Sequence, residues 1–580
     1  MFRLMHPLRF GIPLVLALAY VVAPASASAQ TGTVDFTSTL QHVEGFGFSD
    51  AFGEANALKS LPAAKQAQVL DLLYSTKVGA GFSMYRIGID TDSLIEPTSP
   101  GSPSVTPHYV FDGSDKGQVW LAQQGQKYGV NTFYADAWSA PAFMKTNNNI
   151  NNGGSLCGSP GATTCATGDW RQAYANLLVQ FVSFYNGVNV PIRNLGFMNE
   201  PDISATYASM NFTPAQAVDF IKILGPTVQS SGLPIRILCC DNSKWTLAPP
   251  FVAAIDSDPT ASSYVYAHSS HEYGGHASSP LATTKPVWMT EWSSSNGTFE
   301  PRWDCNNCSG GPDGMFLAND IIQAFNAGNV NAYYYWWGTS TGAAALILTS
   351  GSGGGTFTVA NRFYAIGSIS RFVRPDAHVV SSTNTNPSLN AVAFRNADGS
   401  KVMAIINTAT TALPSSFTVD GGTANSAVKT YLTDTTHSVT ETDTAVVVGT
   451  TLSVTFPPRS LTTIVLPPAA TAGSINLVTS ATLQKLGDGS FQAAVKIANN
   501  GTGTAQNVQL STALLGSVSG APAPGAALPQ TVGSIAPGGF LIVPLNFPSS
   551  AGTSGSATTD HFTGAYTGGT FGGGSRIVLP

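Results

Sequence analysis

The chain has 580 residues, of which only 10% are charged and 43% are apolar, and its formal net charge is −6 at pH 7. Few charges combined with many apolar residues exclude an intrinsically disordered protein, and the lack of basic tracts argues against nucleic acid as a partner. The length predicts about two to four domains with hydrophobic cores.

The first 29 residues have the pattern of a secretory signal peptide. Arg3 and Arg9 give a positively charged start, residues 11–22 are apolar, and residues 27–29 read Ala-Ser-Ala, an A-x-A cleavage site. A membrane anchor is the alternative, but the apolar run is shorter than the roughly 20 residues that span a bilayer. We therefore predict a secreted protein, extracellular or periplasmic, with no membrane partner after cleavage.

An exported chain can form disulfides, so its six cysteines are candidates for pairing. They are Cys157, Cys165, Cys239, Cys240, Cys305 and Cys308. Their spacing favours the local pairs Cys157–Cys165 and Cys305–Cys308, although it does not fix the pairing. The C-x-x-C at 305–308 has no second pair at zinc spacing, so no metal site is predicted.

From residue 43 to 375, short β-rich runs alternate with amphipathic segments. The predicted strands are 43–48, 82–88, 131–136, 193–198, 235–240, 263–268, 286–290 and 330–335. The clearest helix covers 172–185, where apolar residues recur at helical spacing. A second begins at Thr213, with Pro214 at the first helical position and Gln216 completing a capping box.

Eight strands alternating with helices predict an α/β fold, a (β/α)8 or TIM barrel at 43–375. A doubly wound open sheet is the alternative. That fold usually carries a glycine-rich phosphate loop of the G-x-G-x-x-G type, and no such loop occurs in the required context.

Beyond the predicted barrel the pattern becomes all-β. Runs such as 402–406, 416–419 and 461–466 predict an antiparallel β-sandwich at 376–467. Residues 468–473 have the composition of a linker, and 474–580 are predicted to form a C-terminal immunoglobulin-like β domain. This last region has no tryptophan and few aromatic residues, which favours a spacer or interaction domain over a sugar-binding module.

Two glutamates follow predicted barrel strands. Glu200 comes after the fourth strand and Glu291 after the seventh, and active sites of (β/α)8 barrels lie at the carboxyl ends of the strands. A pair of carboxyl groups there suits glycoside hydrolysis, in which one protonates the leaving oxygen and the other attacks the anomeric carbon. Repulsion between them is expected to raise the pKa of the acid. The alternative for either glutamate alone is a salt-bridged or solvated strand end.

Seven segments then carry a family resemblance. They are GFGFSDAF at 45–52, MYRIG at 84–88, DAWSAPAFMKTN at 136–147, GGSL at 153–156, NEP at 199–201, TEW at 290–292 and RFYAIG at 362–367. In this order they resemble glycoside hydrolase family 30, a family of retaining glycosidases, and the first is most similar to its xylan-active subfamily 7. The resemblance runs from about residue 33 to 467, and it implies that residues 30–42 supply a strand to the side β-sandwich.

The resemblance implies roles for five residues. Glu200 would be the acid/base and Glu291 the nucleophile, and no cofactor would be needed. Asn199 would bind the sugar 2-hydroxyl, Tyr273 would orient the nucleophile, and Arg86 would lie beside Glu291 and keep it ionised. A structural ion pair is the alternative for Arg86. Retention of configuration follows if the carboxyl groups lie about 5–5.5 Å apart.

Aromatic side chains at strand ends are candidates for contact with sugar rings. Trp138 and either Trp336 or Trp337 are the best of them. Because alternate residues of a strand face opposite sides, only one of the last two should face the site, and the resemblance favours Trp336. His271 is a further candidate for substrate binding, with a structural role as the alternative, whereas His268 is expected in the core.

Members of the family that this chain resembles act on several substrates, namely xylan, glucuronoxylan, β-1,6-glucan, β-1,6-galactan or glucosylceramide. The opening segment favours xylan-type hemicellulose. Where subfamily 7 can carry a uronate-binding arginine, this chain has Glu54, which would repel a uronate, and Arg302 is a candidate substitute. We therefore predict a monomeric β-1,4-xylanase without a firm uronate requirement. A β-1,6-glucanase or β-1,6-galactanase, and an inactive polysaccharide-binding protein, are the alternatives.

Overall fold

The computed structural model describes residues 30–91, 99–293, 297–305, 308, 311–351, 355–421, 428–443, 445–468, 473–523 and 525–580. The predicted signal peptide and positions 469–472 of the predicted linker lie outside these residues. The described chain forms two compact units, one made mainly of residues 30–395 and 402–464 and one mainly of residues 465–580. Every described helix is too short or insufficiently apolar to cross a lipid bilayer.

Parallel strands form the centre of the first unit. After β1 (Gln30–Val43), they are β2 (Gly45–Ser49), β3 (Met84–Ile89), β4 (Thr132–Ala137), β5 (Asn194–Leu195), β6 (Arg236–Asn242), β7 (Val265–His271), β8 (Val287–Glu291) and β9 (Ala332–Trp337). Strands β2–β9 pair in sequence order, and β2 also pairs with β9, so that they close into a barrel. The predicted (β/α)8 barrel is confirmed.

Helices follow most of the barrel strands. They are α1 (Glu54–Lys59), α2 (Ala63–Tyr74), α3 (Gln118–Lys127), α4 (Arg171–Gly187), α5 (Pro214–Ser231), α6 (Pro249–Ser257), α7 (Pro259–Tyr264), α8 (Gly314–Asn326) and α9 (Asn361–Ser370). The helix predicted at 172–185 is confirmed as α4. The capping box of α5 is confirmed too, since Thr213 N–H donates to Gln216 Oε1 (2.9 Å) and Gln216 N–H donates to Thr213 Oγ1 (3.3 Å).

Two predicted strands differ from the structure. The strand predicted at 263–268 begins only at Val265, because Asp258 caps the short helix α7 that runs up to that point. The strand predicted at 193–198 keeps only the two residues of β5 in the ladder. Beyond Leu195 the chain leaves the ladder, and Glu200 N–H donates to Asp241 O (2.8 Å) of the neighbouring strand β6.

Large side chains fill the barrel interior. The buried cluster consists of Met84, Tyr134, Leu238, Ala267, Trp288, Ala332 and Tyr334. The rings of Trp288 and Tyr334 stack with centroids 5.9 Å apart, and Tyr134 packs edge-on against Trp288 at 6.0 Å. Because this packing closes the interior, the polar residues that follow the strands collect at the carboxyl-terminal mouth.

After the barrel, the chain adds short strands and then a β-sandwich. The strands are β10 (Thr339–Ser340), β11 (Ile347–Thr349), β12 (Phe357–Val359), β13 (Ala377–Asn384), β14 (Leu389–Arg395), β15 (Lys401–Asn407), β16 (Leu413–Asp420), β17 (Lys429–Thr433), β18 (Thr440–Thr442), β19 (Ala445–Val448), β20 (Thr451–Phe456) and β21 (Ser460–Leu466). Strands β13–β21 join β1 in one sheet of the described chain, with β1 between β13 and β16. The predicted side β-sandwich is confirmed.

The second unit is built from strands alone, apart from one short 3-10 turn in its described part. They are β22 (Leu477–Lys485), β23 (Phe491–Asn499), β24 (Ala505–Leu515), β25 (Val518–Ser519), β26 (Ala521–Pro522), β27 (Gln530–Ile535), β28 (Phe540–Phe547), β29 (Ala557–Tyr566), β30 (Gly569–Gly573) and β31 (Arg576–Val578). Two sheets enclose a core that includes Val495, Leu510 and Leu545. The predicted C-terminal all-β region is confirmed.

Disulfide bonds join all six cysteines. The two predicted local pairs, Cys157–Cys165 and Cys305–Cys308, are confirmed. The third bond joins the adjacent residues Cys239 and Cys240 in β6. The sequence left this pairing open, because two neighbouring cysteines are equally available to more distant partners.

Candidate active site

Glu200 and Glu291 meet at the mouth of the barrel. Glu291 is the last residue of β8, and both side chains are buried, with 6% of Glu200 and 5% of Glu291 exposed. A carboxylate oxygen of each lies within 4.8 Å of the other. Glu200 has a φ of +48°, a conformation that non-glycine residues rarely adopt and that is held by hydrogen bonds on both sides. The local backbone thus fixes the direction of this carboxyl group.

Arg86 in β3 is the centre of the charge network below the two glutamates. Its Nη1 donates to Glu291 Oε2, and its Nη2 donates to Asp136 Oδ2 (3.0 Å), Asn199 Oδ1 (2.8 Å) and Asp241 Oδ2 (2.8 Å). The guanidinium has no exposed surface. The predicted contact between Arg86 and Glu291 is present. Asp136 and Asp241 were not predicted as partners, because Asp241 lies outside the seven segments and Asp136, although it begins one of them, was given no role.

The pKa values of Asp136 and Asp241 shift in opposite directions. Burial and the neighbouring Asp241 raise the pKa of Asp136 well above its usual range. For Asp241 burial has the same tendency, but Arg86 and His271 outweigh it and lower the pKa. Asp136 is therefore the more readily protonated member of the pair.

Tyr273 holds the second oxygen of Glu291. Its hydroxyl donates to Glu291 Oε1 (2.9 Å) and lies 3.3 Å from Ser293 Oγ. The contact between Tyr273 and Glu291 is the one that the sequence analysis expected. With Arg86 on the other oxygen, the carboxylate is fixed in orientation. Burial raises the pKa of Glu291, and the positive charges of His271 and Arg86 limit that rise.

His271 lies between the two glutamates. Its Nδ1 is 3.3 Å from Glu200 Oε1, and its Nε2 is 3.8 Å from Glu291 Oε2 and 3.6 Å from Asp241 Oδ2. Burial alone would lower the pKa of His271, but the three carboxylates raise it to about 10. The ring has no exposed surface, so its contacts are with the acids rather than with the open cleft.

The expected raised pKa of the acid is wrong for Glu200. Burial acts in the expected direction, but hydrogen bonds from His271 and from the hydroxyl of Tyr207 outweigh it and lower the pKa of Glu200. Tyr207 Oη donates to Glu200 Oε2 (3.1 Å). Tyr207 was not predicted as a site residue, because it lies in a loop outside every motif of the family resemblance.

A cleft of about 770 Å³ opens above the glutamates. Glu200 and Glu291 lie in its lining together with Phe52, Trp138, Trp336 and Trp337. The ring centroid of Trp138 is 5.0 Å from that of Phe52 and 5.6 Å from that of Trp336. Such aromatic faces suit the apolar C–H surfaces of sugar rings.

The expectation that only one of Trp336 and Trp337 faces the site is wrong. Both line the cleft, and their rings stack with centroids 5.2 Å apart. The reason is an irregularity in the pairing of β2 with β9. Phe48 is opposite Tyr335 but Ser49 is opposite Trp337, so Trp336 is an extra residue that breaks the strand's alternation.

The two residues considered for uronate selection lie outside the cleft lining. Glu54 Oε2 accepts a hydrogen bond from Thr341 N–H (2.9 Å). Arg302 donates to both carboxylate oxygens of Glu300. No arginine or lysine is among the described residues that line the cleft.

Three clusters bring metal-ligand types within 4.8 Å of one another in the described chain. They are Glu200, His271 and Glu291; Glu272, His276 and Asp320; and Glu300, Cys305 and Cys308. In the second, burial and Asp320 raise the pKa of Glu272 well above its usual range, and His276 Nδ1 lies 2.6 Å from Asp320 Oδ1. In the third, both cysteines are in a disulfide.

The chain passes close to Asp136 at Gly196, the residue that follows β5. A Cβ there would lie 2.6 Å from the Tyr134 hydroxyl and closer still to Asp136 Oδ1. We expect Gly196→Ala to lower the free energy of unfolding by about 1–3 kcal/mol through overpacking, measured by urea denaturation. Gly187→Ala, at the end of α4 with no atom within 4 Å of the added Cβ, is the control and should not destabilise the protein. Equal stability of the two variants would contradict the close approach.

Known proteins share this architecture. Family models described as the glycosyl hydrolase family 30 TIM-barrel domain and beta sandwich domain match residues 43–288 and 376–464. The solved catalytic domain of GH30 xylanase C from Talaromyces cellulolyticus is 39% identical, with a TM-score of 0.71, over 75% of this chain and 100% of that chain. An endo-1,6-beta-D-glucanase of Trichoderma harzianum is 24% identical over 67% of this chain and 84% of that protein. Lysosomal acid glucosylceramidase of Mus musculus is 26% identical over 46% of this chain and 52% of that protein.

Proposed function

Because the chain belongs to glycoside hydrolase family 30, we propose that it is a secreted, retaining β-1,4-xylanase with Glu200 as acid/base and Glu291 as nucleophile. The observation that carries this proposal is the pair of buried carboxyl groups at the floor of an aromatic cleft, with oxygens within 4.8 Å. Inverting enzymes need carboxyl groups about 6.5–9.5 Å apart to admit a water molecule, whereas retaining enzymes have them about 5–5.5 Å apart.

In the first step, a carboxylate oxygen of Glu291 attacks the anomeric carbon and forms a covalent glycosyl–enzyme bond. The bond to the leaving sugar breaks, and its oxygen takes a proton from Glu200. In the second step, the Glu200 carboxylate takes a proton from water while the water oxygen attacks the same carbon and releases Glu291. Arg86 and Tyr273 hold the nucleophile in place through both steps.

The first step needs a protonated Glu200, and the pKa of Glu200 depends on its neighbours and on water in the cleft. Without substrate, the contact of 3.3 Å between His271 Nδ1 and Glu200 Oε1 favours the proton on the histidine, because this contact and Tyr207 lower the pKa of Glu200. A sugar chain in the cleft excludes water, and desolvation disfavours the charged carboxylate. Substrate binding therefore raises the pKa of Glu200 and favours its protonated form, from which the leaving oxygen accepts a proton.

Sugar contacts follow from the cleft lining. Trp138, Trp336 and Trp337 line the cleft and supply apolar faces for the sugar rings. Arg86 lies below them, with its guanidinium carbon 4.7 Å from the ring centroid of Trp138. Asn199 precedes Glu200 in the chain and accepts a hydrogen bond from Arg86 at Oδ1, which leaves its amide N–H groups as the proposed partners of the sugar 2-hydroxyl.

Three observations support xylan as the substrate and export as the destination. The first segment is similar to that of subfamily 7, and the solved relative at 39% identity is a xylanase. The described cleft lining has no cation, which favours a neutral main chain over a strict need for uronate branches. The three disulfides and the signal-like N-terminus are typical of an exported protein.

The test is product analysis on linear xylan, glucuronoxylan, β-1,6-glucan and β-1,6-galactan. We expect oligosaccharides from both xylans, with initial products in the β-configuration by proton NMR. Preferential cleavage of either β-1,6 polymer would contradict the xylan assignment, and initial α-products would contradict the retaining mechanism. The β-1,6 polymers are included because a relative at 24% identity is an endo-1,6-beta-D-glucanase.

A further inference from the structure

We propose that Tyr207 positions the proton-carrying oxygen of Glu200 and at the same time forms the binding site for the leaving-group sugar. The proposal rests on the function proposed above and extends it to the other side of the scissile bond. Its basis is the position of Tyr207, whose hydroxyl touches the acid/base while its ring lines the cleft.

The two oxygens of Glu200 have different surroundings. Oε1 is 3.3 Å from Nδ1 of the fully buried His271, and Oε2 accepts the hydrogen bond from Tyr207 (3.1 Å). Tyr207 lines the cleft and is 52% exposed. Oε2 is therefore the oxygen on the cleft side, from which a proton can reach the leaving group. A hydrogen bond to it fixes the plane of the carboxyl group.

The loop that carries Tyr207 is anchored to the loop at 145–154. Ser209 N–H donates to Ile150 O (3.1 Å), and Asn152 N–H donates to Ala205 O (2.7 Å). Lys145 Nζ donates to Ser209 O (2.6 Å). Bonds on both sides of Tyr207 hold its backbone in place, so the position of the ring is set before substrate binds.

The side of the cleft on which Tyr207 lies is that of the leaving group. The tryptophans gather near Arg86, which binds the nucleophile, whereas Ile150, Ile203 and Ala208 line the cleft from the two loops next to Glu200. The acid/base protonates the oxygen of the departing sugar and must lie beside it. The exposed tyrosine ring, with apolar neighbours, is thus placed to contact the C–H face of that sugar.

Several charged or titratable groups act on Glu200. They are His271, Arg86, Glu291, Tyr273 and Tyr207, with Asp202 beside the tyrosine. Burial and the charge of Glu200 raise the pKa of Tyr207, so its hydroxyl remains a donor. A hydrogen bond donated to the carboxylate favours its charged form. Loss of this bond therefore raises the pKa of Glu200.

The test compares Tyr207→Phe and Tyr207→Ala on xylotetraose and on β-xylobiosyl fluoride. Fluoride departs without a proton and leaves the leaving-group sugar site empty. On xylotetraose we expect Tyr207→Phe to lower kcat/KM about 3- to 10-fold, the effect of one hydrogen bond, and to move the basic limb of its pH profile to higher pH. Tyr207→Ala should lower kcat/KM on xylotetraose at least as much as Tyr207→Phe does, and it should also raise KM. On the fluoride, kcat/KM of both variants should stay near that of the wild type.

Tyr128→Phe is the matched control, because Tyr128 donates its hydroxyl to Asp71 (2.8 Å) outside the cleft lining. This variant should have the kcat/KM of the wild type on both substrates and an unchanged pH profile. Equal losses on xylotetraose and on the fluoride, or a wild-type pH profile for Tyr207→Phe, would overturn the proposal. If the wild-type enzyme cleaves a β-1,6 polymer instead of xylan, the xylan assignment fails, and the same comparison is made with that oligosaccharide and its glycosyl fluoride.

Discussion

Glu291→Gln is expected to lower the rate of hydrolysis by about 10⁴-fold or more, the scale on which a covalent mechanism depends on its nucleophile. The amide cannot form the covalent intermediate, whereas the aromatic cleft and its sugar contacts remain. Polysaccharide binding should therefore persist. The measurements are initial rates on xylan and on β-xylobiosyl fluoride, together with affinity electrophoresis in gels that contain xylan.

Two further variants separate the roles of the glutamates. Glu200→Gln should lose activity on xylan but still react with β-xylobiosyl fluoride in the first step, since fluoride needs no acid. Glu300→Gln is the control, because Glu300 binds Arg302 outside the cleft lining. Substantial activity of Glu291→Gln on both substrates would contradict its assignment as nucleophile. Wild-type protein that binds xylan and cleaves none of the four polysaccharides would favour the inactive binding protein.

Arg86→Ala is expected to lower the free energy of unfolding by about 3–5 kcal/mol, as when one partner of a buried ion pair is removed. Asp241 and Glu291 would lose their shared cation in a site that has no exposed surface at Arg86. The same loss raises the pKa of Glu291, because a positive charge that favours its ionised form is gone. The acid limb of the pH–rate profile should then move to higher pH. Urea denaturation and kcat/KM against pH provide the measurements.

Arg302→Ala is the control for this prediction. Arg302 also binds a glutamate, but its side chain is 56% exposed, and exposed ion pairs contribute little to stability. Arg86→Lys should recover only part of the activity, since an ammonium cannot reproduce the four contacts of the guanidinium fork. A stable Arg86→Ala variant with an unchanged acid limb would show that the network does not keep Glu291 ionised.

The sequence predicted the parts of the site that depend on local pattern. Apolar residues recur about every two positions in strands and about every 3.6 positions in helices. The alternation of these two patterns along the chain predicted the barrel. Because parallel strands end at the same mouth of a barrel, the sequence also predicted that Glu200 and Glu291 lie together. Resemblance to a family added expected roles for Arg86, Asn199 and Tyr273. In the structure Arg86 and Tyr273 contact Glu291, and Asn199 contacts Arg86.

Two predictions are wrong because they were based on a few residues, whereas contacts with other parts of the chain decide the outcome. Strand alternation predicted that one of Trp336 and Trp337 would turn away, but the pairing of β9 with β2 inserts an extra residue, and both rings face the cleft. Repulsion between two glutamates predicted a raised pKa for the acid. The contacts of Glu200 with His271 and Tyr207 reverse that shift, and neither contact can be read from sequence spacing.

By itself, the sequence determined the fold class and the paired glutamates, because both follow from short-range periodicity and from the common direction of parallel strands. Only the tertiary structure decided which further acids share the site with Arg86 and Glu291. Arg86 also binds Asp136 and Asp241, which lie 50 and 155 residues further along the chain. Electrostatic effects depend on distances of a few ångströms and on burial. Those quantities exist only once the barrel has closed.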